Sequence, residues 1–356
     1  MPTRSRSTVP VLLAFLVALA LVVGACSGGD SKEATATGEE VEAPAESSPT
    51  APLTGLPDPD GEAASRPALS VKIDNNPDAR PQNGLNQADI VWEEVVEGKA
   101  TRFLAVFNSQ SPETVGPIRS VRFTDPDLVW PLGGLFVYSG GVPEAVAALN
   151  AVPVQSVDEN IEEPEMFRFG DRPAPHNLYG RPNELWKLAE DPAAPLPLLR
   201  YLEGDETFGN DGGTDVEAVT IDFDSIGGGY TATWMWDADA GQFVRSTEGE
   251  PQVDALDDSP LAFPNLIIQF IDYNGGAGVE GAKGTVVGSA DAWVLSEGQL
   301  VMGTWSRADL DSQTEFRDAN GELVKLPPGR TWITLPQIGS SVDVQAAAPT
   351  ESPSPE

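Results

Sequence analysis

The stretch with the most chemistry in it is "GPIRSVR", residues 116–122. The chain carries 55 acidic residues against 21 basic ones, yet it places Arg119 and Arg122 three positions apart with no acid beside them. A guanidinium is a rigid planar fork that can donate two parallel hydrogen bonds to a carboxylate or phosphate. Burying one without an anion is costly, so each arginine needs a partner from the chain's own acids or from outside. Eight arginines lie between Arg66 and Arg181, several at the ends of apolar segments or beside turn prolines, from which side chains of separate segments can converge. Arg102, Arg119, Arg122 and Arg172 are the candidates to hold a carboxylate- or phosphate-bearing ligand, with Asn75, His176 and Asn177 orienting it. If 118–122 is helical, Arg119 and Arg122 share a face; if it is a strand, they point opposite ways.

A bland reading competes with this one. Asp74, Asp89, Glu93, Glu94, Glu97, Asp125, Asp127 and Asp171 can pair with the same arginines and do no more than fix loops. His176, the chain's one histidine, also has an alternative role as a general base oriented by an acid, which would make the protein a hydrolase. No G-x-S-x-G elbow accompanies it, and "SGG" at 139–141 lacks that frame. Glu93 and Glu97 face one way in a strand and Glu94 the other. Neighbours on one strand do not form the acid pair across a cleft that glycoside cleavage needs. With one histidine and one cysteine, a zinc site is not expected, and no D-x-[DN]-x-[DN]-G loop appears. We expect no metal and no cofactor.

The elements that must position these groups change character near residue 205. Before it, "ALSVKID", "ADIVWEEVV", "TRFLAVFN" and "GLFVYSG" read as buried strands. "VPEAVAALN" and "RPNELWKLAED" read as short helices opened by Pro143 and Pro182. Asn75 lies in the polar loop between the first two strands, where a functional loop commonly sits. His176 and Asn177 lie in "GDRPAPHNLYG", between prolines that stiffen the backbone. After 205 come strand-and-turn segments, including hairpins around Asp239-Ala240-Gly241 and Asn320-Gly321. Trp92, Trp234, Trp236 and Trp305 occupy alternating strand positions and read as sheet core. The fold class is α+β: a mixed α/β part over 66–203, a linker at 204–215, and a mostly antiparallel β part over 216–340 that either packs alone or extends the first sheet.

The ends bound the location. Arg4 and Arg6 precede an apolar run from Val9 to Val23 that is short for a spanning helix and leads through Gly24-Ala25 into Cys26. This reads as a signal peptide over 1–25, with Cys26 carrying lipid, palmitate included. Residues 26–65 are small, polar and acidic and read as a disordered tether; 341–356 read as a similar tail. A formal charge of −34 repels nucleic acid and anionic head groups, so anchoring falls to the lipid.

The lipobox-like "VGAC" resembles that of bacterial lipoproteins. The strings "VKIDNNPDARPQNGLNQADIVWEEVVEGKATRFLAVF", "VGPIRSVR", "FRFGDRPAPHNLY", "NLIIQF", "GTW" and "PPGRTW", in this order, resemble the YerB-like bacterial lipoproteins over about residues 66–336. The resemblance implies a two-part architecture and membrane tethering on the extracytoplasmic face, and no established activity. Relatives usually carry histidine where this chain has Tyr138 and near Gln252, so a histidine-rich metal site is not implied here.

Together these readings favour a non-enzymatic, lipid-anchored extracytoplasmic binding or scaffold protein for an anionic envelope component. An envelope hydrolase using His176 and an acid, and a protein-interaction module with purely structural polar loops, are the alternatives.

Overall fold

In the first half, apolar runs of five to seven residues flanked by Gly, Pro and Asn become short strands, and the two Pro-led segments become short helices. The computed structural model describes residues 49–161, 163–209, 212–223 and 230–347. The expected signal peptide, Cys26 and the far end of the tail lie outside the described residues. The first half contains β1 (Leu69–Asp74), β2 (Ile90–Val95), β3 (Thr101–Phe107), α1 (Asp125–Val129), β4 (Leu135–Val137), α2 (Pro143–Leu149), β5 (Gln155–Val157), β6 (Met166–Arg168), β7 (Leu178–Gly180) and α3 (Pro182–Leu185). Pro143 and Pro182 each take the first helical position, where the missing N–H costs nothing. β1, β2 and β3 are buried along their whole length, which explains their near-continuous apolar character and makes each charged residue inside them an event.

The second half is β8 (Thr214–Asp222), β9 (Thr231–Asp237), β10 (Gln242–Thr247), β11 (Glu250–Pro251), β12 (Ala262–Phe263), β13 (Asn265–Gln269), β14 (Asp272–Asn274), β15 (Lys283–Thr285), β16 (Gly288–Ser296), β17 (Gln299–Arg307), β18 (Glu315–Asp318), β19 (Thr331–Leu335) and β20 (Val342–Ala346). Its pairings are predominantly antiparallel. The β9–β10 hairpin closes at Gly241, whose φ of +64° suits glycine. The fold is therefore α+β, a mixed half followed by a mostly antiparallel one.

One sheet path runs β11-β10-β9-β8-β17-β16-β13-β19-β2-β3-β1-β4-β5. The joint is β19, which pairs in parallel with β13 on one side and with β2 on the other, Ile333 opposite Trp92. The second half thus extends the first sheet. Around the joint Phe103, Trp234, Phe263 and Trp332 pack ring edges on ring faces, with centroids 4.8–6.4 Å apart.

Two boundaries move. Residues 49–65, placed in the tether by composition, are packed: Ala51, Leu53 and Ala63 are buried, and the Tyr201 hydroxyl donates to the Leu53 carbonyl. A few anchoring side chains are lost in a composition averaged over forty residues. Residues 342–346, placed in the tail, form β20 against β8 with Val342 and Val344 on the core; period-two alternation was present in "SVDVQA" and was masked by the polar tail after it.

Candidate functional site

The segment 118–122 is neither a helix nor a regular strand. It is an extended strap held across the ends of β1 and β4: Arg119 N–H donates to the Lys72 carbonyl, Ser139 N–H to the Arg119 carbonyl and Val121 N–H to the Gly140 carbonyl. The strap starts at Gly116, where φ is +152° and a Cβ would lie 2.7 Å from the Tyr179 ring and 2.9 Å from the Leu178 carbonyl, so only glycine fits. The alternative between shared and opposed faces is settled by this path. Arg119 and Arg122 reach Arg102, which stands opposite Asp74 in the β1–β3 register.

The three guanidiniums sit around two carboxylates. Arg119 Nε is 3.0 Å from Asp74 Oδ2, a close ion pair whose angle is too poor for a hydrogen bond. Arg122 grips Glu97 with both Nε (2.6 Å to Oε2) and Nη2, and spends Nη1 on the Ser120 and Val121 carbonyls. Arg102 donates to the Ser120 carbonyl at 2.9 Å and lies 3.8 Å from Glu97. Burial, assisted by the positive charges of Arg122 and Arg119, lowers Arg102 to about 10, while Glu97 and Asp74 oppose that shift. Burial would raise Glu97, but its two bonds from Arg122 win and hold it below the usual carboxylate range. His176 Nδ1 lies 2.7 Å from Asp74 Oδ2, the oxygen that Arg119 approaches. Three arginines thus face two acids, leaving one positive charge in excess before His176 is counted. The Arg119 side chain is 21% exposed, and among the described residues its guanidinium has Asp74 as its one ion-pair partner.

Three of the sequence candidates are engaged elsewhere. Asn75 is buried and donates to Thr101 Oγ1 at 2.9 Å and Tyr230 Oη at 2.8 Å while accepting from Arg80 and Gln82. Arg172 donates to the carbonyls of Ala79 (2.6 Å) and Pro81 (2.8 Å) and to the Tyr179 hydroxyl, so it ties the two polar loops together. Asn177 accepts from Arg168 and donates to the Phe169 carbonyl, bracing the β6–β7 hairpin. Arg102, Arg119, Arg122 and His176 converge; Asn75, Arg172 and Asn177 serve the scaffold around them.

Two buried charge groups escaped the sequence reading. Lys72, in the middle of β1, is fully buried and pairs with Glu94 and, at 2.7 Å, with Asp125. Burial, then the nearby Glu94 charge, pushes Asp125 up to about 7 against the pull of Lys72. Arg245, in β10, is fully buried and bonds both oxygens of Glu93 at 2.7 and 2.9 Å. A signal was available for Arg245: it alternates with Phe243 on the inward face of its strand. Trp92, Trp234 and Trp305 are buried and Trp236 is partly so, in keeping with sheet core. Among the described residues no three His, Cys, Asp or Glu side chains converge to hold a metal ion, and no helix is long and apolar enough to cross a membrane.

The fold defines the class first. A crystal structure of YerB from Bacillus subtilis superposes with a TM-score of 0.69 at 25% identity, covering 83% of this chain and 99% of that one. In sequence, the YerB protein of Bacillus subtilis (strain 168), whose name places it among lipoproteins, is 30% identical over 307 residues, 80% of this chain and 85% of that protein. The chain belongs to the family described as "protein of unknown function (DUF3048)": the N-terminal domain model matches residues 53–194 and the C-terminal one 219–333. The match beginning at residue 53 agrees with Leu53 lying in the core.

Proposed function

We propose that this protein is a non-enzymatic, lipid-anchored binding or scaffold protein of the extracytoplasmic membrane face, and that Arg119, backed by Arg102, Arg122 and His176, receives a carboxylate or phosphate of an envelope component. The observation that carries the reading is the charge imbalance: Asp74 and Glu97 leave the three-arginine cluster one anion short, and Arg119 is its most exposed member. Arg122 is saturated by Glu97 and two carbonyls and acts as fixed positive background. Asp74 orients both Arg119 and His176, as an acid behind a ligand-binding cation commonly does. The lipobox-like "VGAC" and the lipoprotein name of the relative support acylation of Cys26, which supplies the membrane-lipid partner.

A second reading has one observation in its favour: Asp74 fixes His176 Nδ1 at 2.7 Å, the arrangement that orients a general base. Arg119 on the same oxygen weakens it, because an arginine draws negative charge from the carboxylate. Purification from native envelope followed by mass spectrometry separates the readings. Wild type should retain a small anionic species that Arg119→Ala loses while keeping its fold. Identical bound material in both would rule out Arg119 as a determinant, and turnover of envelope material abolished by His176→Ala would favour the hydrolase.

A further inference from the structure

The polar loop after β1 carries another arginine, which the cluster around Asp74 and Glu97 does not use. Arg80 donates from Nε to Asn75 Oδ1 at 3.0 Å and from Nη2 to the Asn75 carbonyl at 2.9 Å. Its guanidinium lies 5.5 Å from the Tyr230 ring centroid, within reach of a cation–π contact. Among the described residues no Asp or Glu forms an ion pair with it, and Nη1 donates to nothing while keeping accessible surface. Burial, joined by the charge of Arg245, lowers Arg80 against Tyr230 and Glu93, as expected of a half-buried cation with no acid at its side.

Gln82 lies beside it. Its Nε2 donates to the same Asn75 Oδ1 at 3.1 Å and to the Asp74 carbonyl at 3.0 Å, so one oxygen holds the two side chains next to each other. Gln82 is 1% exposed, yet its Oε1 accepts from none of the described residues and is not sealed from solvent. An unpaired amide oxygen on so buried a side chain is rare in folded proteins. Arg80 and Gln82 both line a cavity of about 220 Å³ that the turn at 80–82 forms with residues 247–253 of the second half. The two walls are tied together: Gly84 N–H and Asn86 N–H donate to the Asp254 carboxylate, each at 2.9 Å, and Ala255 N–H donates to the Gln82 carbonyl. Pro81, Pro251 and Val253 supply apolar surface, and the exposed Glu250 has no ion-pair partner among the described residues.

We propose that this cavity binds a small α-amino acid as its zwitterion, the carboxylate accepting from Arg80 Nη1 and the ammonium donating to Gln82 Oε1 and drawn by Glu250. A free donor and a free acceptor held side by side require a ligand with an acceptor and a donor side by side, and an α-amino acid carries both on one carbon. A simple carboxylate would satisfy Arg80 but set its negative oxygens against Gln82 Oε1. A simple ammonium would satisfy Gln82 but set its charge beside Arg80. The volume is small for a ligand site and suits a short side chain lying against Pro81, Pro251 and Val253. The cavity shares no lining residue with Arg102, Arg119 or Arg122, and filling either place does not require the other.

The test is calorimetric titration of the full mature chain in detergent with L-alanine and D-alanine in separate runs, beside propionate, ethylammonium chloride and N-acetylalanine at equal ionic strength. Propionate keeps the carboxylate that would satisfy Arg119, ethylammonium keeps the amine, and N-acetylalanine keeps an N–H without its charge. Saturable one-to-one binding of the better alanine enantiomer, at least tenfold tighter than each of the three analogues, is expected. Arg80→Ala should weaken it tenfold or more. Should that variant fail to fold, Glu250→Lys decides: it reverses the charge at an exposed position and should cut alanine affinity at least tenfold with an unchanged melting midpoint. Alanine binding no tighter than any one analogue, or wild-type affinity in either folded variant, would overturn the proposal.

Discussion

Arg245→Met tests whether the joint between the two halves is held by a buried ion pair. Arg245 and Glu93 are both fully buried, and the guanidinium sits 5.2–5.6 Å from the ring centroids of Phe103, Trp234 and Trp332. Burial alone would lower Arg245, but Glu93 and Tyr230 raise it above its ordinary value. Methionine fills most of the volume and removes the charge, so the cost is chiefly that of a stranded Glu93. Breaking a buried pair from one side costs about 3–5 kcal/mol. Here Glu93 keeps donors from Thr101 (2.9 Å), Tyr230 and Trp332 (3.2 Å), which places the loss near the lower end, about 3 kcal/mol. Against a typical total of about 5–15 kcal/mol, that is a large shift in urea midpoint at unchanged slope, read by tryptophan fluorescence because Trp234 and Trp332 flank the site. Glu93→Gln should be comparably damaging, and the double variant less damaging than the sum by at least about 1.5 kcal/mol. A loss under about 1 kcal/mol for Arg245→Met, or additive single losses, would refute the reasoning.

Other expectations concern pH and the loops. Asp89, raised to about 6 chiefly by burial, and Asp125, raised to about 7, hold protons in the folded chain at pH values where the unfolded chain has released them. Their contribution to stability is therefore greatest below the folded values and is lost as pH rises through them. Moving from pH 8 to pH 6 should raise unfolding stability by about 1–2 kcal/mol from these two groups, and a flat or falling urea midpoint over that interval would contradict the assignment. Arg172→Ala should lower stability by about 1–3 kcal/mol through three lost bonds between the polar loops, yet leave phosphate binding within twofold of wild type once folded; specific loss of binding would restore Arg172 to the ligand set.

Much of the framework could be read directly, because β1, β2 and β3 are largely apolar, broken only by a few charged residues, and Pro143 and Pro182 mark helix starts without ambiguity. What could not be read was pairing. Nothing in "TWITLP" says that β19 lies in parallel between β13 and β2, since parallel partners are set by long-range packing and not by a turn. The site followed the same division. Arg102, Arg119 and Arg122 were conspicuous by type, and Asp74 and Glu97 were available acids, but the strap geometry that joins them depends on Gly116 passing against Tyr179. Asn75 and Arg172 misled because a polar loop looks alike whether its groups face a ligand or one another. Lys72 and Arg245 were passed over because each is a single charge inside a strand, a pattern that also fits a solvent-facing position.

The central claim is that Arg119 is the most exposed cation of a cluster with one positive charge in excess. Calorimetric titration of the full mature chain with inorganic phosphate, comparing wild type, Arg119→Lys and Arg119→Ala, tests it most directly. The account predicts saturable binding that weakens at least tenfold in Arg119→Ala and partially in Arg119→Lys, which keeps the charge but loses the fork. Phosphate binding that is absent in wild type, or equal in wild type and a folded Arg119→Ala, would contradict it.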